Sequence, residues 1–159
     1  FFEKNFIEKL GNIYKYGKIE VQFCKFLSQE DYEELINLTD FNFVRGEDSF
    51  IRAVLTGKPY LWHIYCQEDY AHMDKIEGFL DKYERQMKGK TSEEYLSEYK
   101  KLFKDYNFRR ENSLEEGKEE YLFFFNNLKE IERCNSLFRD FLISNCNLIN
   151  KIKDFIEKF

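Results

Sequence analysis

The chain has 159 residues, one domain's worth, and its 25 Lys+Arg against 30 Asp+Glu give a formal net charge of −5, which excludes a generally basic nucleic-acid binder because nothing supplies bulk phosphate neutralisation. Hydrophobic residues at 43% and charged residues at 35% exclude a disordered tail, and 18 Phe with 11 Tyr provide for a core of useful size. The longest apolar runs, such as Tyr121 to Phe125, fall far short of the ~20 residues of a spanning helix, so no membrane span is expected.

Phe2, Phe6, Leu10, Ile13 and Tyr14 sit at helical spacing and predict a helix over Phe2 to Tyr16, with Gly17 as its C-cap. The alternation Ile19, Val21, Phe23, followed by Cys24 and Phe26-Leu27, predicts a short buried strand. Ser28-Gln29-Glu30-Asp31 is a capping pattern ahead of Tyr32, Leu35, Ile36 and Leu38, and Thr39-Asp40 closes that helix. Phe41 to Val44 is a second strand, and Arg45-Gly46 is a turn. Glu47-Asp48-Ser49 opens a helix carrying Phe50, Ile51, Val54 and Leu55, which Gly57 and Lys58-Pro59 end. Tyr60 to Tyr65 is a third strand, and Glu68 to Met87 returns to helical spacing. Beyond the break at Gly89 the pattern is helical to the end. Tyr95, Leu96, Tyr99, Leu102, Phe103 and Tyr106 form one stripe, Ser113-Leu114-Glu115-Glu116 is a capping box, and Asn145 to Asn147 is a break.

Strands separated by helices cannot form hairpins and are joined by crossovers, which makes the sheet parallel. The expected fold is α/β: a partial, doubly wound, Rossmann-like sheet of three parallel strands followed by a helical C-terminal region. Residues 1–18 are then an N-terminal helix, residues 19–88 the partial Rossmann-like domain and residues 89–159 a helical extension. The chain opens on Phe1-Phe2-Glu3-Lys4, without an initiator Met, a basic n-region or an apolar h-region. Together with the shortness of the sheet, this reads as a piece of a longer polypeptide. Cys24, Cys66, Cys134 and Cys146 form no CxxC pair, which argues against a zinc ribbon and for a reducing cytoplasm, with Cys24 as a small buried hydrophobe.

Ligands of open parallel sheets bind beyond the carboxyl ends of the strands, here at Ser28 to Tyr32, Arg45 to Ser49 and Tyr65 to Glu68. At the middle corner a helix begins directly after Arg45-Gly46. Its leading N–H groups and macrodipole favour an anion, Gly46 allows close approach, Arg45 adds a bidentate phosphate donor and Ser49 a hydroxyl. Glu47 and Asp48 would repel a phosphate unless they point elsewhere. One of them can accept hydrogen bonds from sugar hydroxyls, which suits a nucleotide sugar, and plain helix capping explains the same residues. Tyr32 can stack a base beside Gln29 or simply pack in the core. Tyr65 and Gln67 line the third loop or pack the strand end. His63 and His72 read as satisfied structural histidines, since neither has a second ligand at metal spacing, and Cys66 lacks an activating neighbour. No Ser-His-Asp order, Walker loop or GxGxxG occurs.

The run Phe43-Val44-Arg45-Gly46-Glu47-Asp48-Ser49-Phe50, then Arg52-Ala53, Gly57-Lys58-Pro59-Tyr60 and Trp62-His63-Ile64-Tyr65-Cys66-Gln67-Glu68, resembles the C-terminal domain of the protein-arginine rhamnosyltransferases that modify bacterial elongation factor P. Phe26 to Tyr32 and His72 to Lys75 fit the same family, as does the closing helix over Phe141 to Phe159. The resemblance implies the C-terminal half of a two-domain GT-B glycosyltransferase, with the N-terminal domain and its general base, an aspartate, missing from this chain. It implies an inverting, metal-independent transfer of rhamnose from dTDP-β-L-rhamnose to an arginine of elongation factor P, with no cofactor. By position, Gln29 contacts the thymine and Tyr32 stacks on it. Glu47 holds the ribose or acts at the reaction centre, making it the catalytic candidate. Asp48 and Ser49 receive the diphosphate through backbone N–H groups and the hydroxyl, with Gly46 in the substrate-binding set for its close approach, Arg45 orders the loop or the phosphates, and Tyr65 touches the diphosphate. His63 stands where the family has Gln, and Cys66 where it has Pro, so the loop carrying Tyr65 departs from the pattern. The chain alone is expected to bind dTDP weakly and not to turn over. Two alternatives remain: another acceptor for the same architecture, and a non-catalytic α/β-helical interaction module whose aromatic helices bind a protein partner.

Overall fold

The computed structural model describes residues 10–108 and 118–158. The backbone falls into two compact units, Phe1–Thr39 and Asp40–Phe159.

In the first unit, strands β1 (Leu10–Tyr16) and β2 (Ile19–Cys24) form an antiparallel ribbon with Tyr16 opposite Ile19. The two-residue turn between them places Gly17 at φ 61° while Lys18 keeps a negative φ, the pattern of a II′ hairpin, where glycine belongs at the first position. Cross-strand pairs hold the register: Lys15 meets Glu20 at 2.6 Å, and the Tyr14 and Phe23 rings lie edge to face at 5.8 Å. The helix expected over Phe2 to Tyr16 is therefore, in its described part, a strand, and Gly17 is a hairpin turn rather than a C-cap. Phe2 and Phe6 lie outside the described residues. Every residue of β2 is exposed, Cys24 included, whereas a parallel-sheet strand is covered on both faces. Helix α1 (Gln29–Leu38) starts as expected: the Ser28 hydroxyl accepts from the Asp31 N–H at 3.2 Å, and Asp31 reaches back to the Ser28 N–H at 3.4 Å.

The second unit is built on one βαβ crossover. Strands β3 (Asn42–Arg45) and β4 (Tyr60–His63) pair in parallel, Arg45 opposite His63, through helix α2 (Glu47–Thr56). Among the described residues no third strand joins them, so the expected three-stranded parallel sheet is reduced to two strands. The outer edge of β4 shows the reason. The Asn42 N–H donates to Pro59 O, which turns carbonyls 59, 61 and 63 toward β3 and those of Trp62 and Ile64 away from it. On that outer edge the Asn107 carboxamide donates to Trp62 O at 2.9 Å and accepts from Ile64 N at 2.9 Å. A helix side chain supplies the bonds a strand would have made.

Helices α3 (Ala71–Met87), α4 (Glu93–Phe108), α5 (Lys118–Asn126) and α6 (Leu128–Asn145) share one core with β4, whose Tyr60, Leu61 and Trp62 are buried. The stripe expected on α4 faces inward: Tyr95, Leu96, Tyr99, Leu102 and Phe103 are all buried with Phe124, Ile131 and Phe138. Those aromatics are core, which removes them from the partner-binding role of the interaction-module alternative. Phe50 stacks on Trp62 at 4.0 Å and fixes the first turn of α2 over the sheet. A buried polar link runs from the Tyr83 hydroxyl to Asn135 Oδ1 at 3.0 Å, and from Asn135 Nδ2 to Lys58 O at 2.9 Å. Helix α7 (Leu148–Ile156) follows the expected break and leaves Leu148, Ile149, Ile152, Phe155 and Ile156 exposed. The capping box at Ser113 to Glu116 lies outside the described residues. No described helix is long and apolar enough to cross a membrane.

The start of α6 is tied to the turn before α4 by ions. Arg133 donates to both carboxylate oxygens of Glu130, at 2.8 and 2.6 Å, and Thr91 donates to the same carboxylate at 2.7 Å. The Arg133 bonds, then the Thr91 hydroxyl, pull the Glu130 pKa down from 4.5 to about 2. A group whose folded pKa is depressed stabilises fully above its unfolded value and loses that contribution as pH falls through the folded one. Melting temperature should therefore decline between pH 4.5 and about 2, and Glu130→Gln should flatten part of that decline. An acid limb equally steep in the variant would remove Glu130 as its source.

Candidate functional site

A helix begun by glycine has no side chain to satisfy its leading amides. Gly46 is the N-cap of α2, with φ 80° and ψ 161° and no side-chain cap. The first helical bond runs from Phe50 N to Gly46 O at 3.1 Å. The N–H groups of Glu47, Asp48 and Ser49 therefore lie ahead of the helical ladder, at the positive end of the macrodipole. The Tyr65 ring covers this corner: a Cβ on Gly46 would stand 3.1 Å from Tyr65 Cε2. The Arg45 guanidinium lies 4.8 Å from the centre of the same ring. Arg45, Gly46, Glu47, Asp48, Ser49 and Tyr65 are thus brought to one corner at the carboxyl ends of β3 and β4.

The two acids at this corner are both engaged. Asp48 is held by Arg52 of its own helix, Nε to Oδ2 at 2.8 Å. Glu47 is held by Lys75 of α3, Nζ to Oε1 at 2.9 Å. The Lys75 hydrogen bond, followed by its charge, lowers the Glu47 pKa below the usual carboxylate range, so the carboxylate is ionised at neutral pH. Two acids that would repel an anion are each neutralised by a cation. The Asp48–Arg52 pair is legible in the i,i+4 spacing. Lys75 is 28 residues from Glu47, and spacing along the chain gives no sign of that pair.

Gln29 and Tyr32 belong to the other unit. Gln29 is the first residue of α1, exposed, and Tyr32 is half-buried one turn on, its N–H donating to Ser28 O at 3.0 Å. His72 is the satisfied structural histidine expected: it is buried, and its Nδ1 accepts from the Gln67 N–H at 3.0 Å. His63 is partly exposed, and burial, then the Arg45 charge, lowers its pKa below the usual histidine value. Tyr70, with φ 59°, turns the chain into α3 in a left-handed conformation. With His72, Gln67 and Phe108 it lines a small cleft of about 200 Å³. Cys66 is exposed. Among the described residues no group of three or more His, Cys, Asp or Glu is placed to hold a metal ion.

The chain has known relatives. The sequence model of the family described as Elongation-Factor P (EF-P) rhamnosyltransferase EarP matches residues 1–157. A protein-arginine rhamnosyltransferase of Pseudomonas putida is 49% identical over 74 residues, covering 46% of this chain and 20% of the relative. One from Neisseria meningitidis is 37% identical over 97 residues, covering 61% of this chain and 24% of the relative. The aligned part of the chain thus spans about a fifth to a quarter of these relatives. A structure solved for the basis of EarP-mediated arginine glycosylation of translation elongation factor EF-P superposes with a TM-score of 0.73 at 26% identity, covering 94% of this chain and 44% of that one.

Proposed function

Because the chain belongs to the family of elongation factor P rhamnosyltransferases, we propose that it supplies the donor-binding half of a protein-arginine rhamnosyltransferase acting on dTDP-β-L-rhamnose. The observation that carries this reading is the uncapped start of α2, with its acids neutralised and Arg45 and Tyr65 beside it. The diphosphate is received by the amides of Glu47, Asp48 and Ser49 and by the Ser49 hydroxyl, as anions are at helix starts. Arg45 meets the phosphates or orders the loop, and Tyr65 closes over them. Glu47 accepts from ribose or rhamnose hydroxyls. Gln29 and Tyr32 meet the thymine, a role that rests on the family resemblance alone.

In the proposed reaction a guanidino nitrogen of the acceptor arginine attacks the anomeric carbon of rhamnose. The bond from that carbon to the diphosphate oxygen breaks with inversion, and dTDP leaves with the electron pair. A protonated guanidinium is a very weak nucleophile, with a pKa of ~12.5–13.8, so a carboxylate must orient it and take its proton. That base is proposed to lie on the domain that precedes this one in the full-length enzyme. The work of this chain is at the leaving group, where fixed amides and Arg45 offset the growing charge without a metal. The acceptor is proposed to be elongation factor P, in the cytoplasm.

Calorimetric titration of the chain with dTDP and with dTDP-β-L-rhamnose tests the reading. Saturable binding with Kd of about 1 mM or tighter is expected, weakened in Glu47→Ala and weakened about 5- to 150-fold in Tyr32→Ala, the loss of one stacked base. Absence of saturable binding by the unsubstituted chain would overturn the donor-site assignment. Rhamnosylation of elongation factor P by this chain alone would overturn the division of labour.

A further inference from the structure

We propose that Lys75 is a positioning residue for the anion corner, acting through Glu47 rather than by touching the ligand. The inference rests on the donor-site reading above and extends it to an element that reading does not use. Glu47 is the first residue of α2, where its charge would compete directly with a diphosphate for the leading amides. Its carboxylate, which also accepts from its own N–H, is held by Lys75, one turn into α3, at 2.9 Å. The pair joins the two strand-to-helix corners: α2 follows β3, and α3 follows β4.

Charge makes the role specific. Arg52 compensates Asp48 from within α2, so that pair forms wherever the helix forms. Glu47 has no such partner on its own helix and depends on α3. Without Lys75 an unpaired carboxylate is left beside the amides. Both side chains are more than half exposed, so the pair adds little to stability, as exposed pairs generally do. What it sets is the direction in which the carboxylate lies.

The test is a double-mutant cycle on the chain, read as Kd for dTDP by calorimetry, with melting curves to check folding. Lys75→Ala should weaken dTDP binding about three- to tenfold at an unchanged melting temperature, and Lys75→Arg should restore most of the loss. In a Glu47→Gln background, Lys75→Ala should change Kd by less than about twofold, because there is no carboxylate left to restrain. An equal loss in both backgrounds would overturn the proposal in favour of direct contact between Lys75 and the ligand. Unchanged binding in Lys75→Ala, with the unsubstituted chain binding normally, would overturn the role of Lys75 alone. No binding by the unsubstituted chain would overturn the donor-site reading and this inference with it.

Discussion

Gly46→Ala should abolish saturable dTDP binding and lower stability by about 1–3 kcal/mol, the cost of forcing a side chain into a region of backbone space that is essentially glycine's alone. The position has φ 80° and ψ 161°, and the added methyl would stand 3.1 Å from Tyr65 Cε2 and 3.5 Å from its hydroxyl. Two responses are open to the chain. The backbone can rotate toward negative φ, which re-aims the amides of Glu47, Asp48 and Ser49. Alternatively the ring can move, which gives up its contact with the Arg45 guanidinium at 4.8 Å. Either response damages the anion corner, so binding should fall by more than the stability loss explains. Gly78→Ala is the matched control. Gly78 lies within α3 with open space around its would-be Cβ, and alanine there should be neutral or stabilising by up to ~1 kcal/mol. If Gly46→Ala binds dTDP like the parent, the α2 start is not where the phosphates lie.

The α2 corner was legible because its determinants are consecutive. Arg45-Gly46-Glu47-Asp48-Ser49 carries the turn, the helix start and the polar groups within five residues. The Ser28–Asp31 capping box was legible for the same reason. The N-terminal ribbon was not. Leu10, Ile13 and Tyr14 fit a helical stripe, while the pairing that makes them a strand is set by β2 across the Gly17-Lys18 turn. The alternation of Ile19, Val21 and Phe23 predicts a strand, and the strand is there, but antiparallel rather than parallel. One-sided alternation belongs to an antiparallel ribbon, and buried parallel strands read as continuous apolar runs. Lys75 escaped because its meaning lies in a residue on another helix. Asn107 escaped because an asparagine inside a helical stripe reads as a surface residue until the neighbouring strand edge is known.

That asparagine is where the second large effect should appear. Asn107 is buried in the last turn of α4, and among the described residues its carboxamide bonds to main chain. It donates to Trp62 O at 2.9 Å and Phe103 O at 2.8 Å, and it accepts from Ile64 N at 2.9 Å. Asn107→Leu keeps the approximate volume and leaves a strand carbonyl and a strand amide unpaired under the helix. Each unsatisfied buried group costs about 1–3 kcal/mol, so a total loss of about 2–6 kcal/mol is expected from the pair. In denaturant the midpoint should fall with the slope unchanged, the mark of lost stability without a change in the surface exposed on unfolding. Asn145→Leu provides the contrast. Asn145 ends α6, exposed, with its carboxamide donating to Phe141 O, and its replacement should stay within about 0.5 kcal/mol. The effect of Asn107→Leu should also reach the anion corner. Tyr65 follows Ile64 directly, and the carboxamide fixes the Ile64 amide, so a released strand end lets the ring leave its place over Gly46. Binding of dTDP measured well below the denaturation midpoint should therefore weaken in Asn107→Leu and remain at the parent's value in Asn145→Leu. If Asn107→Leu is as stable as Asn145→Leu, the outer edge of β4 finds other partners, and its side-chain closure is not what limits the sheet to two strands.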